Sequence, residues 1–368
     1  MKLKRLCALF ICVMVMTVMV PFAAAAEDQP ETDDHPWGDS EWTLGEARRA
    51  SDRAYAPDRG DSDFLRLAGK NRYETSIMVA DQWMAFNDGY PFSNVIIASG
   101  ADFPDALGSS GPAYELYAPI ILVDKSNVKK TAEYVYKNME SDGLVYIMGG
   151  EGAVPKTMET ELNKVGIGSE RIIRFAGRNR YETNIKVLKG YDSIDSVIVC
   201  SGKNYADALS ASALGAPILL VGDTLTEAQI DYLVEYGIIR FLIVGGPAAV
   251  SEEVEDQLIG ILADSTGSGG FLYRISGNNR YETSKNFAYF IWDACDAAVL
   301  ASGNNFPDGL SGCTLCFWED CPLLLATNKA TEEAAECAQS LGADHAIVLG
   351  GETLISDAAV KHILGLDK

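Results

Sequence analysis

The chain has 368 residues, 48% of them hydrophobic, with 30 Lys and Arg against 52 Asp and Glu and a formal net charge of −22. Nucleic-acid binding requires a basic stripe, which a chain this acidic lacks, and no basic amphipathic segment suits it to a membrane surface. The length would ordinarily hold two or three domains.

At the amino end, Lys2, Lys4 and Arg5 precede an apolar run from Leu6 to Val20, and "PFAAAAE" then offers small residues before Glu27. That is the three-part layout of a secretory signal. It predicts a signal over 1–26, cleavage after Ala26 and a secreted mature protein, since the run is shorter than the ~20 residues of a spanning helix. Loss of the three basic residues takes the net charge to about −25. The stretch 27–63 carries Pro30, Pro36 and Pro57, twelve acidic residues and four basic ones, without apolar periodicity. It reads as a flexible acidic leader.

From residue 64 onward one unit is written three times. Each copy opens on an octapeptide, "GKNRYETS" from Gly69, "GRNRYETN" from Gly177 and "GNNRYETS" from Gly277. Next come "SGADFPDAL", "SGKNYADAL" and "SGNNFPDGL", then "APIILV", "APILLV" and "CPLLLA", and last a strand ending in paired glycines, "VYIMGG", "FLIVGG" and "AIVLGG". Proline and first paired glycine are 30, 28 and 28 residues apart. Four ordered landmarks in triplicate predict tandem modules at 64–168, 169–270 and 271–368.

Within each unit, short β-branched or Leu-rich runs such as "NVIIASG" and "APIILV" alternate with segments of helical spacing such as "AEYVYKNMES". Continuous apolar strands separated by helices imply a parallel sheet covered on both faces. The fold class is therefore α/β, each unit a βαβαβαβα module of about 100 residues that begins at the strand before "NRYET" and owns four strands. The octapeptide, the "SGxxFPDAL" segment and the glycine pair all follow strands, which places them at the carboxyl edge of one sheet, with one crevice per repeat.

Asn71 with Glu74, Asn179 with Glu182 and Asn279 with Glu282 have the spacing of a capping box. Asp105, Asp207 and Asp308 suit the positive end of the next helix. For Arg72, Arg180 and Arg280 two uses are open: a strut to the recurrent Asp, or a donor fork for a carboxylate or phosphate. Tyr73, Tyr181 and Tyr281, like Phe103, Tyr205 and Phe306, could pack in the core or stack on a sugar ring.

This ordered set of motifs resembles the cell-wall-binding repeat type 2 family of Gram-positive bacteria, from about Phe64 to Lys368. The resemblance implies Toprim-like or Rossmann-like modules packed around a pseudo-threefold axis. It also implies an exported protein held non-covalently at the cell surface by an anionic secondary wall polymer, teichoic-acid-like, or by peptidoglycan. In the family the "PILL" motif is tied to binding. It maps onto Pro119, Ile120, Ile121 and Leu122, onto Pro217, Ile218, Leu219 and Leu220, and, as "PLLL" after Cys321, onto Pro322, Leu323, Leu324 and Leu325. Together with the three Arg-Tyr pairs and Asp105, Asp207 and Asp308 these form the expected polymer-binding set. The chain's own charge repels a polyanion at long range, so arginine contacts or bridging divalent cations are needed, although no defined metal motif is present.

A catalytic module is the rival reading. His35, His345 and His362 are the only histidines, none recurs between repeats, and no Gly-x-Ser-x-Gly elbow or phosphate loop occurs. No enzyme activity and no cofactor are expected; a phosphate-processing α/β enzyme is the alternative. Five cysteines, Cys295, Cys313, Cys316, Cys321 and Cys337, crowd the third repeat. Buried small side chains, one or two disulfides, or a metal site remain open for them.

Overall fold

A computed structural model describes residues 63–102, 104–191, 193–265 and 270–367. The expected signal and nearly all of the leader lie outside the described residues, as does Phe103.

The first repeat runs β1 (Phe64–Leu67), α1 (Arg72–Phe86), β2 (Phe92–Ser99), α2 (Pro104–Leu107), α3 (Ser110–Glu115), β3 (Ile120–Val123), α4 (Val128–Asn138), β4 (Met139–Met148) and α5 (Thr157–Val165). In the second come β5 (Ile172–Phe175), α6 (Arg180–Leu188), β6 (Ser196–Ser201), α7 (Ala206–Ser212), β7 (Ile218–Val221), α8 (Glu227–Glu235), β8 (Arg240–Val244) and α9 (Glu252–Asp264). The third holds β9 (Phe271–Ile275), α10 (Arg280–Ile291), β10 (Ala297–Ser302), α11 (Pro307–Glu319), β11 (Leu323–Ala326), α12 (Glu332–Leu341), β12 (His345–Leu349) and α13 (Asp357–Ile363). The apolar runs become strands because both of their faces are covered: Val95 to Ala98, Ile120 to Val123 and Val145 to Met148 are all buried. Helices such as α4 bury one stripe, Val128, Thr131, Ala132 and Val135.

Three four-stranded parallel sheets result, ordered β3-β2-β4-β5, β7-β6-β8-β9 and β11-β10-β12-β1. These orders correct one expectation. A repeat does not own the four strands of its sheet; its first strand joins the sheet of the repeat before it. β5 pairs with β4, Val145 opposite Ile172, and β9 with β8, Arg240 opposite Phe271. β1, with no repeat before it, pairs with β12 at the far end of the chain, Phe64 opposite Ala346. The physical reason is that a crossover through one helix returns the chain to the sheet it has just left.

An arginine in each of these first strands fixes the arrangement. Arg174 donates to the carbonyls of Gly149 (2.8 Å) and Val154 (3.0 Å) and meets Glu159. Arg274 repeats this on Gly245 (2.8 Å), Val250 (2.9 Å) and Glu255. Arg66 reaches Gly350 (2.9 Å) and Asp357 (2.7 Å).

The octapeptide helices sit between sheets. Each packs on the edge strand of its own repeat and on the "PDAL" helix of the preceding one: α1 on β3 and α11, α6 on β7 and α2, α10 on β11 and α7. The "PDAL" segments in turn meet one another, α2 with α7, α7 with α11, and α11 with α3. The modules thus close into a ring with pseudo-threefold symmetry, and one hydrophobic cluster runs through all three.

Candidate functional site

Nearly every residue of the octapeptide has a local task. Asn71 Oδ1 accepts from the backbone N–H groups of Tyr73 and Glu74 (both 3.0 Å), and Asn179 and Asn279 do the same for α6 and α10. These are N-caps satisfying orphan helix donors. The glutamate turns back one residue further than a capping box requires, accepting from the N–H of Lys70, Arg178 or Asn278. The last position, Ser76, Asn184 or Ser284, bonds the exposed edge of the "PILL" strand. Asn184 accepts from Leu220 N–H (2.9 Å) and donates to the Ile218 carbonyl (2.8 Å); Ser76 accepts from Leu122 and Ser284 from Leu325. An otherwise open sheet edge is closed in this way.

Of the two uses left open for the arginines, the strut to the recurrent Asp gives way to a hydrogen bond with a backbone carbonyl. Arg72 donates to the carbonyl of Gly100 (2.6 Å), Arg180 to Gly202 (2.6 Å) and Arg280 to Gly303. Each thereby links the octapeptide to the "SG" of its own repeat while facing the preceding repeat. Arg72 lies over the Phe306 ring at 5.8 Å, Arg280 over Tyr205 at 5.3 Å, and Arg180 pairs with Asp102 at 3.8 Å. Tyr73, Tyr181 and Tyr281 lie against Gly100, Gly202 and Gly303, where a β-carbon would collide with the ring. Only glycine allows that approach. Burial and a hydrogen bond to Asp124 push the Tyr73 hydroxyl up to about 12.

Asp105, Asp207 and Asp308 form the floor of each junction. Their carboxylates press on the first glycine of the pair: a β-carbon on Gly149, Gly245 or Gly350 would sit 2.6, 2.7 or 2.7 Å from the Asp Oδ2. Those glycines have φ of 112°, 123° and 89°, backbone that other residues resist. Burial raises all three carboxyl pKa values, that of Asp207 to about 6, while Arg180, Arg280 and Arg72 pull them back. Thr183 and Thr75 supply hydrogen bonds to Asp105 and Asp308 from the next repeat. Asp105 Oδ1 and Asp308 Oδ1 are buried without a partner. Each site is therefore assembled between two repeats, the "PDAL" aspartate and glycine pair from one, the octapeptide with its own "SG" glycine from the next. That replaces the expectation of one crevice inside each repeat.

The "PILL" residues occupy a different place. Ile120, Ile121, Leu122, Ile218, Leu219, Leu220, Leu323, Leu324 and Leu325 are at most 2% exposed, so their side chains are core. Pro119, Pro217 and Pro322 start the strands, where a missing N–H costs nothing, and their carbonyls accept from Ile96, Ile198 and Val299. What the strand delivers is an aspartate just past its end: Asp124, directly after Val123 and bonded to Tyr73, and Asp223, two residues after Val221 and paired with Lys203 at 2.5 Å. Sequence reasoning missed Asp124, the threonines and the edge-binding Ser76, Asn184 and Ser284. Recurrence of Thr and Ser/Asn inside the octapeptide was the available signal. Among the described residues no group of three or more His, Cys, Asp or Glu is placed to hold a metal. His345 starts β12, at the end of the strand away from the junction, and His362 pairs with Asp367 and Glu332. No described helix is long and apolar enough to cross a membrane.

Comparison with known proteins agrees with this geometry. The model of "Cell wall binding domain 2" matches residues 66–159, 174–255 and 274–360. The chain is 27% identical over 274 residues to N-acetylmuramoyl-L-alanine amidase LytC of Bacillus subtilis, 73% of this chain and 51% of that one. It is 30% identical over 305 residues to Amidase enhancer of the same organism, 81% of this chain and 40% of that one. It thus spans about half the length of these curated relatives or less. Among solved structures, Cwp8 from Clostridium difficile aligns with a TM-score of 0.70 at 24% identity, covering 84% of this chain and 53% of that one. Cwp6 from the same organism gives 0.69 at 23%, covering 83% and 48%. With three ordered matches taking up most of its length, the chain belongs to the cell wall binding domain 2 family.

Proposed function

We propose that this protein is exported and attaches non-covalently to the cell wall by binding an anionic secondary polymer at the three inter-repeat junctions, without enzymatic activity of its own. One observation carries the reading: the same arginine, tyrosine and buried carboxyl recur at all three junctions of a chain whose family is defined by wall binding. The guanidinium is the group that meets a phosphate or carboxylate. Beneath it, a carboxyl held toward its neutral form by burial suppresses the repulsion a full aspartate charge would impose. The "PILL" strands contribute by position, setting Asp124 and Asp223 at the carboxyl edge. Three weak sites on one rigid ring bind tightly together through effective concentration. Positions of the described histidines away from the junctions support a non-catalytic role.

Co-sedimentation of residues 27–368 with Gram-positive walls, native or stripped of secondary polymer, tests this. Binding lost on stripping supports polymer attachment; equal binding to stripped walls points to peptidoglycan, and no binding to any wall removes the proposal. A chelator arm separates arginine contacts, which survive it, from cation bridges, which do not.

A further inference from the structure

Six cysteines are free and buried among the described residues, and two of them occupy a special turn. Helix α11 ends with Asp320 in the left-handed region, φ 44° and ψ 54°, and the Cys321 N–H donates to the Cys316 carbonyl (3.3 Å). This six-to-one bond is that of a Schellman cap, whose geometry brings the first and last side chains of the turn into contact. The first repeat has the same turn, with Tyr117 at φ 51° and the Ala118 N–H on the Ala113 carbonyl (2.9 Å). There the pair at the two ends of the turn is Ala113 and Ala118; here both alanines have become cysteine, and after burial the neighbouring Cys321 thiol is the next cause that raises the Cys316 pKa. Cys316 and Cys321 are 1% and 0% exposed.

Between them stand Phe317 and Trp318, the side chains that reach across to the first repeat. Phe317 meets Tyr114 edge-on at 5.2 Å, and Trp318 meets Tyr117 at 4.8 Å and Trp83 at 5.5 Å. We infer that Cys316 and Cys321 are a dithiol pair that closes to a disulfide by exchange with an external disulfide, stapling the turn that presents Phe317 and Trp318 to the first repeat. The exchange balances: one cysteine thiolate attacks the external disulfide and expels a thiolate, then the second displaces the other half from the mixed disulfide. Two protons and two electrons pass from the pair to the incoming disulfide, which leaves as two thiols. Burial holds the Cys316 thiol well above its ordinary pKa, so the folded pair is a poor nucleophile. Closure therefore belongs to folding, before the turn is covered. The oxidising setting rests on the exported reading above, whereas the chemistry does not.

The test is to unfold the full chain and refold it with glutathione disulfide and glutathione, block free thiols, and digest without reduction using proteases that cut after Phe317, Trp318 or Glu319. The expected product is a Cys316 peptide joined to a Cys321 peptide, released by reductant and absent from the C316A/C321A variant. That variant restores the residues of the first repeat and so should fold. A thermal midpoint that rises on oxidation for the parent and stays put for the variant completes the result. Recovery of Cys316 and Cys321 as blocked thiols, or Cys321 joined instead to Cys295, would overturn the inference. Because the redox couple is supplied in the tube, the outcome is independent of whether the chain is exported.

Discussion

Between the first and second repeats, and again between the second and third, the chain itself crosses the junction: β4, α5 and β5, or β8, α9 and β9, follow one another in sequence. Between the third repeat and the first it does not. There β1 lies against β12, and Arg66 reaches residues 284 and 291 positions away. The added aromatic packing is concentrated where the covalent link is missing. Trp83, Phe86 and Tyr117 of the first repeat surround Trp318 of the third, and Tyr114 meets Phe317. All of the third-repeat partners, and both tyrosines, come from a turn that the second repeat lacks, since Asp and Pro are 14 residues apart in the first and third repeats and 10 in the second. A junction closed without a peptide bond needs more buried contact, because its two sides are not held at high effective concentration by a short connection.

The largest test of this contrast is Trp318→Ala, expected to cost about 3–5 kcal/mol in thermal or denaturant unfolding. Hydrogen exchange should then show β1 losing protection before β5 and β9; equal loss in all three strands would mean that the junctions are equivalent after all. Next, Asp207→Asn probes the floor of a covalent junction. A carboxyl whose folded-state pKa is about 6 binds protons more tightly folded than unfolded, so stability falls as pH rises from about 4 through about 6. The asparagine variant should be more stable by about 3 kcal/mol at pH 7.5, with most of the advantage gone near pH 4. Denaturant midpoints across that range check it, and a pH-independent difference would mean that Asp207 matters by shape alone. Gly303→Ala drives a methyl into the Tyr281 ring and should cost roughly 1–3 kcal/mol; the matching Gly100→Ala and Gly202→Ala changes should cost the same if this contact ignores chain connection. Arg66→Ala should have the smallest global effect, about 1–2 kcal/mol, yet raise exchange at β1 more than Arg174→Ala raises it at β5.

What the sequence determined by itself is local in origin. Asn71, Asn179 and Asn279 cap helices because a cap needs only its own next three residues. The strands "NVIIASG" and "APIILV" and the carboxyl-edge position of the motifs follow from composition and order along a few dozen residues. The three-fold repetition announced the family and the three modules. Tertiary structure decided the rest, which depends on partners far apart in sequence. No pattern in "FLRLAG" says that β1 joins β12, because a parallel strand carries no local record of its neighbour. The arginines could not be assigned from the residues around them, since their acceptors, Gly100, Gly202 and Gly303, lie 22 to 28 positions away. The "PILL" side chains were placed in the core by both faces of the sheet being covered, and the site moved from inside a repeat to between two because one strand of every sheet is supplied by the next repeat.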